Sequence, residues 1–213
     1  MIEDMPTIEF TLQLDSPLHI GNGETPGVFA RDARGRPCIP ATTLKGLHRA
    51  SVRAVSVGLG LRACESSTPE QMCHPLPPEQ ACPVCLIFGS PWLPGRLFYR
   101  DVLCSAQTVE DTRVVMPQSR KRQVAVGRFT TLRETLPANT SFSGRIDLHL
   151  DQRNDPALLA LALLGLRAIT RFGAGSAHGY GLCHVEARAL DDARLPILDS
   201  DLADALKAYR ART

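Results

Sequence analysis

An α+β fold is predicted for this chain of 213 residues, because strand and helix patterns follow one another as strand, helix, strand, strand, helix, strand. The segments Ile8–Leu14 and Ser141–Leu150 alternate apolar and polar residues, which indicates strands with one buried face. Asp155-Pro156 is a strong helix start, and a nearly all-apolar run follows it. A hydrophobic content of 44% can fill the core of one domain with insertions or of two small ones, and we interpret residues 1–213 as a single domain.

The first half of the chain supplies one strand, one flexible loop and one helix. The loop is glycine-rich and covers residues 21–27. The helix is predicted from about Thr43 to Val57, with Thr42 or Thr43 as its N-cap, because a threonine hydroxyl can accept a hydrogen bond from a free amide of the first turn. Its predicted core contacts are Leu44, Leu47, Val52 and Val55.

The rest of the chain completes the fold. Its predicted elements are strands at 95–103, 141–150 and 182–189, a buried helix at 157–169 and a short amphipathic helix at 199–212. Residues 62–94 are rich in proline, serine and cysteine, residues 108–137 are long and basic, and both are interpreted as insertions. Without them the order is the ferredoxin-like (RRM-like) βαββαβ arrangement, a four-stranded antiparallel sheet with two helices on one face. Many nucleic-acid-binding proteins use this arrangement.

The charge balance limits the classes of partner. A formal net charge of only +2 excludes a generic polycation, so a nucleic-acid site requires local clustering of basic residues. No apolar run reaches membrane-spanning length, and the N-terminus lacks a basic-then-apolar signal pattern. We therefore expect a cytoplasmic protein without a membrane partner.

The sharpest chemical signal is a cysteine-rich stretch in the first insertion, with Cys64, Cys73, His74, Cys82 and Cys85 as candidate metal ligands. The C-P-V-C spacing of the last two cysteines is typical of a zinc knuckle. Cys73 and His74 are adjacent and compete for one position, so a four-cysteine site and a site that uses His74 both fit. Because the stretch has little core of its own, we predict a structural zinc ion that orders it. The alternative is a group of free thiols.

Two basic segments are candidate contacts for a phosphate backbone. Lys45, Arg49 and Arg53 lie four apart on the first helix, whose N-terminus also suits an anion. The second insertion carries a basic run without any acid, for which salt-sensitive phosphate binding is expected. Its members are Arg113, Arg120, Lys121, Arg122 and Arg128. The alternatives are a solvated helix face and a solvated hairpin.

A glycine-rich loop at residues 171–181 is the third candidate contact. Its glycines allow positive φ angles and close backbone approach, and Arg171, Ser176 and His178 add hydrogen-bond donors. The loop follows a helix and precedes a strand, so it is not the dinucleotide-binding fingerprint. A phosphate or ribose contact is one interpretation, and a tight helix-to-strand turn is the other.

Taken in order, these segments resemble the RAMP superfamily of CRISPR effector proteins, above all the small backbone subunit of type III complexes. The run I-P-A-T-T-L-K-G at 39–46 is similar to the family's I-P-G-S-S-L-K-G core. The run C-L-I-F-G-S at 85–90, followed by G-R-L at 95–97, resembles its second block. Residues 120–129 resemble the thumb hairpin, and residues 173–181 resemble the terminal glycine-rich loop. The cysteine-rich insertion looks most like that of the III-D and III-E relatives.

The resemblance implies a subunit that polymerises along a guide RNA (crRNA) in antiviral defence, with complementary target RNA, copies of itself and other CRISPR effector subunits as partners. It implies that the start of the first helix and the glycine-rich loop hold the guide backbone, and that the thumb around 116–129 wedges between bases and contacts the next subunit. The expected RNA-binding residues are Thr42, Thr43, Lys45, Arg49, Arg53, Met116, Arg120, Lys121, Arg122, Arg128, Arg171, Gly175, Ser176 and His178.

The resemblance also bears on catalysis. In cleaving members of the family an aspartate in the first long loop supports metal-dependent cutting of target RNA, and here the matching position holds Pro26. The leading hypothesis is therefore a non-catalytic subunit. The alternative is a metal-dependent endoribonuclease that cuts target or precursor RNA with magnesium, with Glu24 or Asp32 as catalytic candidates. A third hypothesis is a zinc-stabilised adaptor that binds only protein, and the basic segments argue against it.

Overall fold

The computed structural model of the protein describes residues 6–64, 68, 72–73, 80–104, 111–116, 121–124, 131–150 and 155–211. The strands in these ranges are β1 (Thr7–Leu14), β2 (Cys38–Ile39), β3 (Leu97–Phe98), β4 (Val102–Leu103), β5 (Asp111–Val115), β6 (Thr131–Thr135), β7 (Ser141–Leu148) and β8 (Cys183–Leu190). The α-helices are α1 (Ala41–Gly58), α2 (Pro83–Phe88), α3 (Pro156–Arg167) and α4 (Asp199–Arg210).

The main sheet contains four antiparallel strands in the order β3-β7-β1-β8. Together with α1 and α3, these strands give the chain order β1, α1, β3, β7, α3, β8, which is the βαββαβ order with β1 and β7 at the centre. The predicted α+β, ferredoxin-like fold is therefore confirmed. The strands β2 and β4 form a separate pair, and so do β5 and β6.

One face of the main sheet is buried and the other is open. Along β1 the apolar side chains of Ile8, Phe10, Leu12 and Leu14 are buried on one face, while Thr11 and Gln13 on the other face are exposed. This alternation follows from the two-residue repeat of a strand, which sends successive side chains to opposite faces. The helices cover the apolar face, and the polar face remains accessible.

The two core helices meet closely because a glycine lies at their contact. A Cβ atom at Gly165 of α3 would lie 2.2 Å from a methyl carbon of Val52 of α1. Nearby, the buried ring of His48 bridges two elements, since its Nε2 lies 2.7 Å from the carbonyl oxygen of Ala162 and its Nδ1 lies 2.7 Å from the hydroxyl of Tyr99. A carbonyl can only accept, so Nε2 carries the proton and the tyrosine hydroxyl donates to Nδ1.

The predicted N-cap of α1 is wrong. The helix begins at Ala41 after Pro40, and no side chain of its own segment caps it. The carboxylate of Asp101 does so instead, because its Oδ1 accepts a hydrogen bond of 2.8 Å from the amide of Ala41. Thr42 and Thr43 therefore lie within the first turn, and an acidic side chain already occupies this free amide.

Two further element predictions need correction. The strand predicted at 95–103 is divided into β3, which joins the main sheet, and β4, which pairs with β2. The intervening residues turn Tyr99 toward His48 and Asp101 toward α1, which a continuous strand would not allow. The insertion at 62–94 also contains regular structure, since α2 begins at the proline of the C-P-V-C motif and buries most of its side chains.

The outer edge of β8 is covered by neighbouring segments. The Nε and Nη2 atoms of Arg167 donate hydrogen bonds of 2.9 and 2.6 Å to the carbonyl oxygen of Ala187. The amide of Ile197 donates to the carbonyl oxygen of Ala189, and the amide of Cys183 donates to that of Thr170. These contacts occupy backbone groups that an unpaired edge strand would leave free.

Candidate metal centre and nucleic-acid interface

Four cysteine sulfur atoms come together where α1 ends and α2 begins. The Sγ atoms of Cys64, Cys73, Cys82 and Cys85 all lie within 4.8 Å of one another. From Cys64 the Sγ–Sγ distances are 3.2 Å to Cys73, 3.6 Å to Cys82 and 3.7 Å to Cys85. Zinc–sulfur bonds of about 2.3 Å in a tetrahedral site place the sulfurs about 3.8 Å apart, so this set fits such an ion. The remaining candidate ligand, His74, lies outside the described residues.

The local fold presents these thiols from fixed backbone. Cys82 is the N-cap residue of α2, and Cys85 lies in its first turn, so both sulfurs start from one short helix. From α1, Arg53 donates through Nε to the carbonyl oxygen of Cys64 at 2.8 Å, and Arg49 donates through Nη1 to the carbonyl oxygen of Gly89 at 2.9 Å. Both flanks of the cysteine-bearing segment are therefore attached to α1.

The thiols differ in acidity. The Cys85 thiol donates a hydrogen bond to the sulfur of Cys82, and this is the main reason that the pKa of Cys82 is lowered to about 4. Burial, with hydrogen bonds to Cys73 and Cys82, raises the pKa of Cys64 to about 11. Because metal ions bind thiolates, an ion at this centre would release the protons that Cys64 and its neighbours hold. The four cysteines can thus hold one metal ion in a closed site.

The predicted basic stripe on α1 does not form one uniform surface. Arg49 and Arg53 are half-buried against the cysteine-bearing segment, as their hydrogen bonds to it require. Lys45, one turn earlier, makes no hydrogen bond or ion pair with any described residue. Only Lys45 of the three therefore has an ammonium or guanidinium group without a protein partner in the described part of the chain.

The glycine-rich loop has the backbone that the sequence predicted. Gly173 and Gly181 have φ angles of 73° and 70°, and a Cβ atom at either would collide with a carbonyl oxygen at 2.3 or 1.8 Å. Arg171, Ser176 and His178 are all exposed, and Arg171 closes the loop by donating through Nη1 to the carbonyl oxygen of Ser176 at 2.8 Å. The loop therefore presents its polar groups outward.

The second insertion contains a two-stranded hairpin with two different faces. On one face Val114 lies opposite Leu132, their side chains are 57% and 61% exposed, and Met116 follows at 56%. On the other face Arg113 lies opposite Arg133. Of the predicted basic residues beyond β5, Lys121 and Arg122 are exposed, whereas Arg120 and Arg128 lie outside the described residues.

The hairpin and the glycine-rich loop meet at one aromatic ring. The guanidinium carbons of Arg113 and Arg133 lie over the ring of Tyr180, at 5.8 and 6.0 Å from its centre. Tyr180 belongs to the glycine-rich loop, so two segments that are far apart in the sequence share a cationic surface. Lys45 makes no hydrogen bond, ion pair or cation–π contact with this surface among the described residues.

The first long loop is attached to β6 of the hairpin. The Oε2 atom of Glu134 accepts hydrogen bonds from the amide of Phe29 at 2.8 Å and from Nη2 of Arg31 at 3.2 Å. The carbonyl oxygen of Glu134 accepts from Nδ1 of His19 at 2.7 Å. Burial lowers the pKa of His19, which keeps the imidazole neutral and buried in this junction.

The two catalytic candidates differ in how their carboxylates are used. Asp32 accepts hydrogen bonds from the amides of Arg34 and Arg36 and from Nε of Arg36, and the bonds from Arg36 are the main reason that its pKa is lowered. Its role in the structure is to close its own turn. Glu24 has an exposed side chain whose carboxylate makes no hydrogen bond or ion pair with a described residue. Neither lies in a group of metal-binding side chains, since within the described ranges only the four cysteines form one.

Sequence reasoning missed several residues that build these sites. Asp101 caps α1 from a distant strand, Glu134 joins the first loop to the hairpin, and Arg133 with Tyr180 joins the hairpin to the glycine-rich loop. Arg133 had a usable signal, because a hairpin places it opposite Arg113 once the register is known. Tyr180 also had one, since it is the single tyrosine, phenylalanine or tryptophan between Gly173 and Gly181.

A scan against protein-family models matches the RAMP superfamily over residues 11–184, which is most of the chain. This chain belongs to the RAMP superfamily. Members of this superfamily act in CRISPR complexes with RNA and with other subunits, so a CRISPR-associated RNA-binding role follows. A search of curated proteins found no match.

The RAMP match begins within β1 and ends in β8, so it includes the four cysteines, the hairpin and the whole of the glycine-rich loop. The RNA-binding role can therefore be examined on these elements. No described helix of this RAMP protein has both the length and the apolar composition that crossing a membrane requires.

Proposed function

We propose that this RAMP protein is a guide-RNA-binding backbone subunit of a type III-like CRISPR effector complex, in which copies polymerise along the crRNA and support recognition of complementary target RNA. The observation that carries the proposal is the cationic surface at which the hairpin meets the glycine-rich loop through Tyr180. A surface shared by two protruding segments suits a chain of phosphates better than a compact small ligand. The setting would be the cytoplasm, with other effector subunits as further partners.

The predicted RNA contacts divide into two groups in this proposal. Backbone contacts come from the start of α1 and from the glycine-rich loop, through Thr42, Thr43, Lys45, Arg171, Gly175, Ser176 and His178. The hairpin contributes Met116, Lys121, Arg122, Arg120 and Arg128, which would insert between bases and meet the next copy. The exposed apolar face of Val114, Met116 and Leu132 supports such an insertion, because apolar side chains pack well on base faces. Arg49 and Arg53 would contribute to RNA binding indirectly, because their hydrogen bonds hold the first insertion against α1.

The architecture in this proposal is one domain over 1–213 with insertions at 62–94 and 108–137, and the first insertion holds a structural zinc ion as in III-D-like and III-E-like relatives. The close group of four thiols supports zinc, because a closed tetrahedral set of soft sulfur ligands is typical of structural zinc sites. The ion would join Cys64, Cys73 and the start of α2 through their thiolates, which fixes these parts of the insertion to one another.

The test is binding of single-stranded RNA to the purified full-length chain at several salt concentrations, followed by sizing of the complex on RNAs of increasing length. Phosphate contacts predict that log K falls linearly with log salt, and polymerisation predicts a stepwise increase of mass with RNA length. Weak binding that does not respond to salt would contradict the proposal and favour a protein-binding adaptor. If one copy binds whatever the length of the RNA, the role as a polymerising backbone subunit is contradicted, but RNA binding itself is not.

The second candidate is a metal-dependent endoribonuclease acting on target or precursor RNA. Its supporting observation is the exposed carboxylate of Glu24 on the first loop, which has no hydrogen bond or ion pair with a described residue and so suits a magnesium ion. Incubation of guide-loaded protein with matched RNA and magnesium separates the two functions. Cuts at regular intervals that disappear in Glu24→Ala would establish the enzyme.

A further inference from the structure

The hairpin carries an unfavourable charge arrangement at the place where it meets the glycine-rich loop. The register of β5 and β6 puts Arg113 directly opposite Arg133. Like charges directly opposite each other destabilise an antiparallel pair, and an isolated hairpin has little stability to spare. The next pair along the two strands, on the other face of the hairpin, is apolar: Val114 lies opposite Leu132. The two arginines therefore do not simply reflect a basic composition of these strands.

The surrounding groups only partly compensate this charge. Asp111 lies 3.4 Å from Arg113 but is 59% exposed, so solvent screens the interaction. Arg133 forms no ion pair with a carboxylate among the described residues, unlike Arg96 and Arg167, which pair with aspartates. The ring of Tyr180 attracts both guanidinium groups through cation–π contacts, which do not neutralise their charge. A positive charge therefore remains available for an external anion.

The loop backbone approaches these arginines closely at a glycine. A Cβ atom at Gly175 would lie 3.1 Å from Nη1 of Arg133 and 3.3 Å from the ring of Tyr180, so glycine is what allows the loop to approach this closely. Burial lowers the pKa of His19, and the charge of Arg133 adds to that effect, so the neutral form of this imidazole is favoured beside the arginines. The carboxylate of Glu134, the residue after Arg133, is already held by the amide of Phe29 and by Arg31.

We propose that Arg113 and Arg133, held over the ring of Tyr180 beside Gly175, form a phosphate-binding notch that takes one phosphodiester of the bound RNA. Two guanidinium groups on one aromatic platform present several N–H donors toward one anion, and guanidinium matches phosphate geometry. Tyr180 is a positioning residue, because its ring fixes both side chains and couples the hairpin to the glycine-rich loop. This inference rests on the RNA-binding function proposed above and adds a site at the base of the hairpin.

The experiment measures the affinity of single-stranded RNA against salt for the full-length chain and for Arg133→Gln and Arg113→Gln. Each variant removes charged hydrogen bonds worth about 1.4 kcal/mol, so we expect about tenfold weaker binding at low salt. The slope of log K against log salt should become shallower by about 0.7, because one phosphate contact is lost. The slope of the double variant should change by no more than about 0.7, because both arginines contact the same phosphate. The loss should be equal for poly-U and poly-A, because a phosphate contact does not read sequence.

Matched variants separate this role from a merely structural one. Arg188→Gln removes an arginine that pairs with Glu9 on the open sheet face and should bind as the wild type does. Tyr180→Phe should also bind normally, because it keeps the ring, whereas Tyr180→Leu should weaken binding as Arg133→Gln does. The midpoint of thermal unfolding is measured for each variant in parallel. If Arg133→Gln does not fold, Arg113→Gln alone tests the notch, because its side chain is exposed and its replacement should leave the fold intact.

Each outcome separates the two proposals. If the wild type binds RNA in a salt-sensitive way but Arg113→Gln and Arg133→Gln match its affinity and slope, the notch is refuted while the RNA-binding function stands. The notch is refuted as well if Arg188→Gln weakens binding to the same extent, because the effect would then be general charge. If the wild type does not bind RNA, the proposed function fails and the notch fails with it.

Discussion

Acid should destabilise this protein through a single buried histidine. His48 is fully buried, donates to the carbonyl of Ala162 and accepts from Tyr99, and burial lowers its pKa to about 4 from 6.5. Between these two pH values the unfolded chain binds a proton that the folded chain does not, so stability is full above pH 6.5 and is lost as the pH falls toward 4. A difference of about 2.5 pKa units corresponds to about 3 kcal/mol. Urea titrations at pH 7.5, 5.5 and 4.5 measure this loss.

A matched variant isolates the contribution of the histidine. His48→Gln keeps a donor for Ala162 and an acceptor for Tyr99 but cannot titrate, so its free energy of unfolding should change with pH by about 3 kcal/mol less than that of the wild type. Acid also protonates the thiolates of the metal centre, but this centre is common to both proteins and cancels in the difference. Parallel pH profiles for wild type and variant would refute the assignment of the acid sensitivity to His48.

Three further predictions concern the metal centre and the first loop. Protein purified without chelator should contain one zinc ion per chain. The variant Cys82→Ser should lose most of this zinc and unfold at a lower temperature. Less than half an equivalent of zinc in the wild type would contradict the site. Arg53→Gln should speed the removal of zinc by a colorimetric chelator severalfold, because it frees the carbonyl of the Cys64 segment, while Arg188→Gln should leave the rate unchanged. Glu24→Ala should leave RNA binding unaltered within twofold, and loss of binding in this variant would show that the first loop contacts RNA directly.

Local patterns were sufficient for the main sheet and its helices. Alternation along β1 and β7 identified strands with one buried face, and the apolar run after Asp155-Pro156 identified α3, because both signals lie within one element. The cysteine spacing likewise predicted the group of four thiols that could hold a metal ion, since two of them lie in one short segment and the others are close in the sequence.

Features that depend on distant residues were not predicted. The cap of α1 comes from Asp101, sixty positions away, and no local rule ranks a remote carboxylate above an adjacent threonine. Arg49 and Arg53 have the spacing of a solvated stripe, yet they hold the insertion, because the packing of that insertion on α1 is a tertiary event. The notch required the register of β5 and β6 as well as the approach of Tyr180.

The covered margin of β8 restricts how neighbouring copies can associate. A strand from another chain could extend the main sheet there only by displacing Arg167 from Ala187 and the segment around Ile197 from Ala189. Growth of an assembly by sheet continuation, as in fibrils, is therefore disfavoured on that side. The spacing between adjacent copies would instead be set by the ligand that they share and by side-chain contacts. Copies could then stack in order without aggregating irreversibly.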